Sequence, residues 1–249
     1  MASLVGLGLT RWDARQVARA AVATALTLGL AWLVTAATDE GGVSWGERAG
    51  RTLPLTPLCA AVGAWVALAP ALSRGEALAL ESLGRSRAQI AAAAVTGGAL
   101  VAVVASIALG LGRAVDVAGF FPTATHASAW AWGGAGFVDA LHGLRVGADG
   151  APVRIAPDAG RVSAGIPLHG RAAAATLTAL AGVALPLLLA HGLLERRRVL
   201  PSVAAAVAAV AASVLLFQAA AAGHLPALVG TLPALALLAF AVRRYRGRR

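Results

Sequence analysis

Asp139 and His142 lie three residues apart, with His126 and His169 on either side of them in one stretch between two long apolar segments. Two histidines and a carboxylate could hold a metal ion or relay a proton, and one helical turn would bring Asp139 and His142 together. The spacing matches no HExxH-type pattern, and scattered histidines on a wet surface are ordinarily just polar residues. No metal site and no catalytic centre is therefore expected. His191 and His224 fall where apolar segments end, a usual place for an amphipathic ring.

All 21 basic residues are arginine. Without lysine the chain can have neither a phosphate-loop lysine nor a Schiff base, so any ATP it uses is hydrolysed by another subunit. It reads as a non-enzyme without a cofactor. Cys59 is the single cysteine and lies in an apolar stretch, which excludes an intrachain disulfide and a cysteine-paired zinc site.

The more informative chemistry is in the charged run Ser73-Arg74-Gly75-Glu76-Ala77-Leu78-Ala79-Leu80-Glu81-Ser82-Leu83-Gly84-Arg85-Ser86-Arg87-Ala88, set between two apolar segments. Ala77, Leu80 and Leu83 recur at three-residue spacing, while Arg74, Glu76, Arg85 and Arg87 can face water or a partner. The pattern fits a short helix lying on a surface, able to dock another protein. A solvated loop whose arginines only set topology fits it about as well.

The surrounding elements are apolar. Of the 249 residues 59% are hydrophobic and 13% charged, and the mean hydropathy is +0.76, values that belong to an integral membrane protein. About 20 apolar residues cross a bilayer as helix. That length selects six spans, near residues 20–37, 53–72, 89–112, 171–191, 201–222 and 226–242. The expected architecture is all-α, three spans plus three: residues 1–112 with the loop 73–88, a small outer domain at 113–170, and 171–249 with a basic tail.

Arginine sets the orientation. With six spans, 14 of the 21 arginines fall on one side against four acids, and seven arginines with seven acids fall on the other. The arginine-rich side is expected to be cytoplasmic, with both termini inside a bacterial inner membrane. The net charge of +10 follows from this topology, and nucleic acid is not an expected partner. Val117 to Val138 is apolar enough to suggest a seventh span. It contains Pro122, His126 and Gly133-Gly134, however, and counting it would put Arg196 to Arg198 outside. It reads as an interfacial segment anchored by Trp130 and Trp132. Leu144 to Ile155 alternates around Asp149-Gly150 and predicts a β-hairpin. A cleavable signal peptide is the competing reading of the first span, given the basic start and the small residues near Ala36.

The span centres hold no Asp, Glu, Arg or His, which argues against an ion-coupled transporter. Thr96, Ser106, Ser213 and Gln218 are the nearest polar groups, and Gln218 is expected to bond across a helix interface. Gly97, Gly98, Gly110 and Gly112 are expected to let helices pack closely.

Leu53-Pro54-Leu55-Thr56-Pro57-Leu58 followed by the charged run resembles the LptF/LptG family, the permeases of the lipopolysaccharide-export ABC transporter. That family has a proline-rich entry to its second span, then a loop with Ser-Arg, a glutamate, a glycine eight residues later and a serine; Glu76, Gly84 and Ser86 fall on those positions. His224-Leu225-Pro226, Pro233 and Arg243-Arg244-Tyr245 look like the family's last loop and span. FtsX-like permeases share a charged loop but typically have four spans.

The resemblance implies a coupling helix seated on a cytoplasmic ATPase, with Glu76 as its polar contact and Arg74, Glu81, Gly84 and Arg85 beside it. It further implies a second permease of the same family and lipopolysaccharide or a related glycolipid as cargo. The sequence departs from the family in three places. Its outer domain of about 58 residues is shorter than the family's β-jellyroll. Thr35, Asp39 and Glu40 replace basic residues near the outer end of the first span, leaving Arg48 and Arg51 as candidates for a lipid headgroup. Thr231 and Ala234 replace a tryptophan and an asparagine. A structural or regulatory membrane protein that binds partners without transport is the alternative reading.

Overall fold

The computed structural model describes residues 10–38, 43–117, 130–132, 136–139, 144–147, 149–154, 168–195, 199–221 and 225–246. His126, His142, His224, Asp39, Glu40, Pro122, Gly133-Gly134 and Arg196 to Arg198 lie outside them. The helices are α1 (Arg11–Thr38), α2 (Trp45–Thr52), α3 (Thr56–Ser73), α4 (Glu76–Ser82), α5 (Arg87–Leu111), α6 (Leu168–Leu194), α7 (Val199–Ala221) and α8 (Leu232–Arg246). Among the described residues six helical stretches are long and apolar enough to cross a membrane: Arg11–Thr38, Trp45–Ser73, Arg87–Leu111, Gly170–Leu194, Leu200–Ala220 and Ala227–Arg244.

The first helix begins well before its apolar run. Thr10 and Asp13 form a reciprocal capping pair: Thr10 Oγ1 accepts from Asp13 N at 3.3 Å and the Asp13 carboxylate accepts from Thr10 N at 3.0 Å. Helix therefore continues through Arg11, Arg15 and Arg19 into the span. The second span starts as α2, capped by Ser44 accepting from Glu47 N at 3.2 Å, and passes through a 3₁₀ turn at Leu53–Leu55 into α3. Pro54 and Pro57 sit in first turns, where their missing N–H groups cost no helical bond.

Packing centres on α6. It lies against α5 and α3, α1 lies on α3 and α5, and α7 and α8 lean on α6 from the far side. Small residues set these distances. A Cβ on Gly98 would meet the Ala60 backbone carbonyl at 3.0 Å, and one on Gly97 would lie 2.8 Å from Ala20 Cβ, so α5 meets α3 and α1 almost backbone to backbone. Ser106 bonds across to the Ala175 carbonyl at 2.7 Å. Gln218, by contrast, is exposed on the surface of α7, and Thr96 bonds the carbonyl of Ala92 in its own helix.

Between α5 and α6 four strands form an antiparallel meander: β1 (Trp130–Trp132), β2 (Gly136–Asp139), β3 (Leu144–Gly147) and β4 (Pro152–Arg154). The expected hairpin is β3–β4, with Arg145 opposite Val153 and Gly150 turning at φ +75°. Sequence reasoning missed β1 and β2. Asp139 lies in β2 opposite Trp130 and Leu144. Among the described residues no group of three metal-ligating side chains occurs.

Candidate functional site

The charged run folds as the seven-residue helix α4 with a left-handed glycine at each end, Gly75 at φ +73° and Gly84 at φ +87°. Such angles cost a residue with a Cβ about 1–2 kcal/mol, so glycine sets where α4 starts and stops. At the C-terminal end Arg85 N donates to the Leu80 carbonyl at 3.0 Å and Gly84 N to the Glu81 carbonyl at 3.0 Å. This Schellman closure turns the chain back toward the bundle. Ser86 then caps α5: its Oγ accepts from Gln89 N at 3.3 Å while Gln89 Oε1 accepts from Ser86 N at 2.9 Å. Gly84 and Ser86 thus serve the turn geometry.

The turn aims Arg85 inward. Its Nη2 donates to both Asp13 carboxylate oxygens, at 2.8 and 2.9 Å; the Asp13 side chain is 4% exposed and that of Arg85 24%. Its guanidinium carbon lies 5.6 Å from the centre of the Trp12 ring, within cation–π range. Arg85 was expected to face water or a partner. The start of α1 passes beneath α4 and supplies a buried carboxylate, which a partly buried guanidinium needs as a counter-charge.

Glu76 is drawn to the same place. Trp12 Nε1–H donates to Glu76 Oε2 at 3.2 Å, and Arg74, largely exposed, stands 3.7 Å from Glu76 Oε1. Glu81 accepts from Arg87 Nε at 2.9 Å and Nη2 at 3.3 Å, a two-point fork at the surface. The structure thus joins Glu76, Trp12, Arg85, Asp13 and Thr10 in one chain of contacts, while Glu81 with Arg87 forms a separate pair.

The face α4 turns outward differs from the one its spacing suggested. Ala77 is buried and Leu80 packs against the core around Leu68, Ile90 and Ala94, but Leu83 is 80% exposed and Leu78 is 68% exposed. Leu83 cannot follow Ala77 and Leu80 inward because it is the cap residue where the helix ends. Leu78 and Leu83 are thus both open to the surroundings, as are Ala79 and Ser82 between them in sequence.

The other candidate group is at the opposite end of the bundle, on α2. Arg51 pairs with Glu47 at 2.6 Å, and the Arg48 guanidinium lies 6.0 Å from the Trp32 ring. Trp32 and Trp45 are stacked at a tilt with centroids 5.6 Å apart. Sequence reasoning missed this aromatic pair, although one tryptophan near the end of α1 and another opening α2 are the signal for it. Comparison of the chain with family models, curated proteins and solved structures finds no match.

Proposed function

We propose that the chain is the membrane permease subunit of an ABC-type exporter that moves lipopolysaccharide or a related glycolipid out of a bacterial inner membrane, driven by a separate cytoplasmic ATPase. The observation that carries this reading is α4, a short capped helix between two spans. Its outer face presents Leu78 and Leu83, while its inner face is bonded to the start of α1. A helix built to stay folded and attached while offering apolar side chains suits a docking element better than a solvated loop.

In this reading both termini are cytoplasmic, and the β1–β4 meander belongs to a small extracytoplasmic domain. A second permease of the same family would complete a lateral cavity for the acyl chains. The apolar surface of α1, with Val22, Leu26, Leu30 and Leu33 all more than half exposed, is available for that partner or for lipid. ATPase closure would push on α4 and shift α1 relative to α3 and α5.

The test is co-purification with the candidate ATPase. Leu78→Asp and Leu83→Asp should abolish it while leaving the folded chain in the membrane. A wild-type chain that retains no ATPase would sink the reading. A specific observation favours the alternative, a structural or regulatory membrane protein: Glu76, Glu81 and Arg85 are all engaged within the chain.

A further inference from the structure

The first helix is longer than a membrane needs. Its 28 residues reach about 42 Å at the ~1.5 Å rise of an α-helix, against a hydrocarbon core of roughly 30 Å. No charged residue follows Arg19 in the helix, so the surplus of about 12 Å, or about eight residues, is the charged start, placed at headgroup depth. There Arg11, Arg15 and Arg19 stand at intervals of four, and Val22, Leu26 and Leu30 continue the same face, all of them exposed. The opposite face is buried and carries Asp13, Gln16, Ala20 and Thr24. Among the described residues none of these three arginine side chains makes a hydrogen bond or an ion pair. The acids at this end of the bundle are engaged elsewhere: Asp13 by Arg85, Glu81 by Arg87, Glu76 by Trp12 and Glu195 by His191. Like charges one turn apart repel. Their counter-charge must come from outside the described chain.

We propose that this face of α1 binds an anionic phospholipid, its phosphate held by Arg11, Arg15 and Arg19 and one acyl chain lying along Val22, Leu26 and Leu30. The order of chemistry along the helix is that of the lipid: cations at headgroup depth, then an open aliphatic face at the depth of the tails. Guanidinium forks match phosphate oxygens two at a time. At that depth lipid phosphates are the first anions the arginines meet, and an acidic protein would have to displace them. Lipid tails are as apolar as the helix face, so the tail contact gives position and the arginines give the preference for an anionic headgroup. The site requires only that α1 crosses a membrane, so it does not rest on the export reading.

The experiment uses the whole protein purified in dodecyl maltoside, where orientation in a bilayer plays no part. Phosphatidylglycerol and phosphatidylcholine probes with identical acyl chains carry a mid-chain diazirine, and crosslinked peptides are mapped by mass spectrometry. The phosphatidylglycerol probe should label the α1 segment from Val22 to Leu30 about tenfold more than the phosphatidylcholine probe. The triple variant Arg11→Gln, Arg15→Gln, Arg19→Gln should bring the two probes level. Arg113→Gln, Arg145→Gln, Arg154→Gln, which removes the same charge from the turn and strands between α5 and α6, should leave the preference intact. Equal labelling of the wild type by both probes, or a preference that survives the first triple variant, overturns the proposal. So does displacement of the lipid by millimolar inorganic phosphate at constant ionic strength, which would make a free anion the occupant, and so do α1–α1 crosslinks in place of lipid adducts, which would assign the face to a second copy. If the first triple variant does not fold, the two probes and the phosphate competition on the wild type decide alone. Loss of ATPase co-purification with a normal lipid preference would count against export and leave this site standing.

Discussion

The indole N–H of Trp12 donates to the Glu76 carboxylate across 3.2 Å although the two residues are 64 apart in sequence. With the Asp13–Arg85 pair beside it, this contact fastens both ends of α4 to the first turn of α1. A hydrogen bond to a charged group contributes about 1.5–3 kcal/mol. Trp12→Phe and Glu76→Ala should therefore each lower the thermal midpoint in detergent, and the double variant should be little worse than either single one. Additive losses in that cycle would show that the two side chains do not interact.

Removing one member of the Asp13–Arg85 pair strands the other's charge. Arg85→Ala is expected to destabilise the chain by ~3 kcal/mol, the lower part of the range for broken buried pairs, because Arg85 keeps some contact with solvent. Exchanging both for the neutral Asp13→Asn and Arg85→Gln should cost less than Arg85→Ala alone. Denaturant titration in micelles gives the comparison, and a double variant as weak as the single would refute the charge argument.

Gly84→Ala places a Cβ at φ +87°, a strain of about 1–2 kcal/mol. Since Gly84 also directs Arg85 toward Asp13, the variant should lose stability even though nothing lies close to its Cβ position. An unchanged midpoint would mean that the turn is not fixed by this glycine.

Topology is open to direct measurement. A reporter inserted after Asp149 should report the extracytoplasmic side and one after Arg249 the cytoplasm, as the arginine distribution requires. Two reporters on the same side would overturn the six-span arrangement and with it the docking role of α4.

Hydropathy alone located the six long helices, because a 20-residue apolar run leaves a chain few other structures. Which side chains of the charged run would meet α1 was not legible. Arg85 turns inward because Asp13 waits beneath it, and nothing in residues 73–88 reveals a counter-charge 72 positions away. The three-residue spacing placed Ala77 and Leu80 correctly on the buried face and failed at Leu83, where the helix has already ended. Between α5 and α6, Asp139 lies in a strand paired with Trp130 and Leu144; the short β1 and β2 carry too little alternation to announce themselves.

Of the candidate spans, α1 is the least enclosed by its own chain, with 11% of its apolar window buried against 50% for the stretch containing α3. It is also the helix to which α4 is fastened. A load applied to Leu78 and Leu83 would therefore reach, through Trp12 and Asp13, the span whose apolar window is the most open. In mechanical terms α4 is an arm of seven residues between two glycine pivots, joined to a helix that packs on α3 and α5 and leaves Val22, Leu26, Leu30 and Leu33 open.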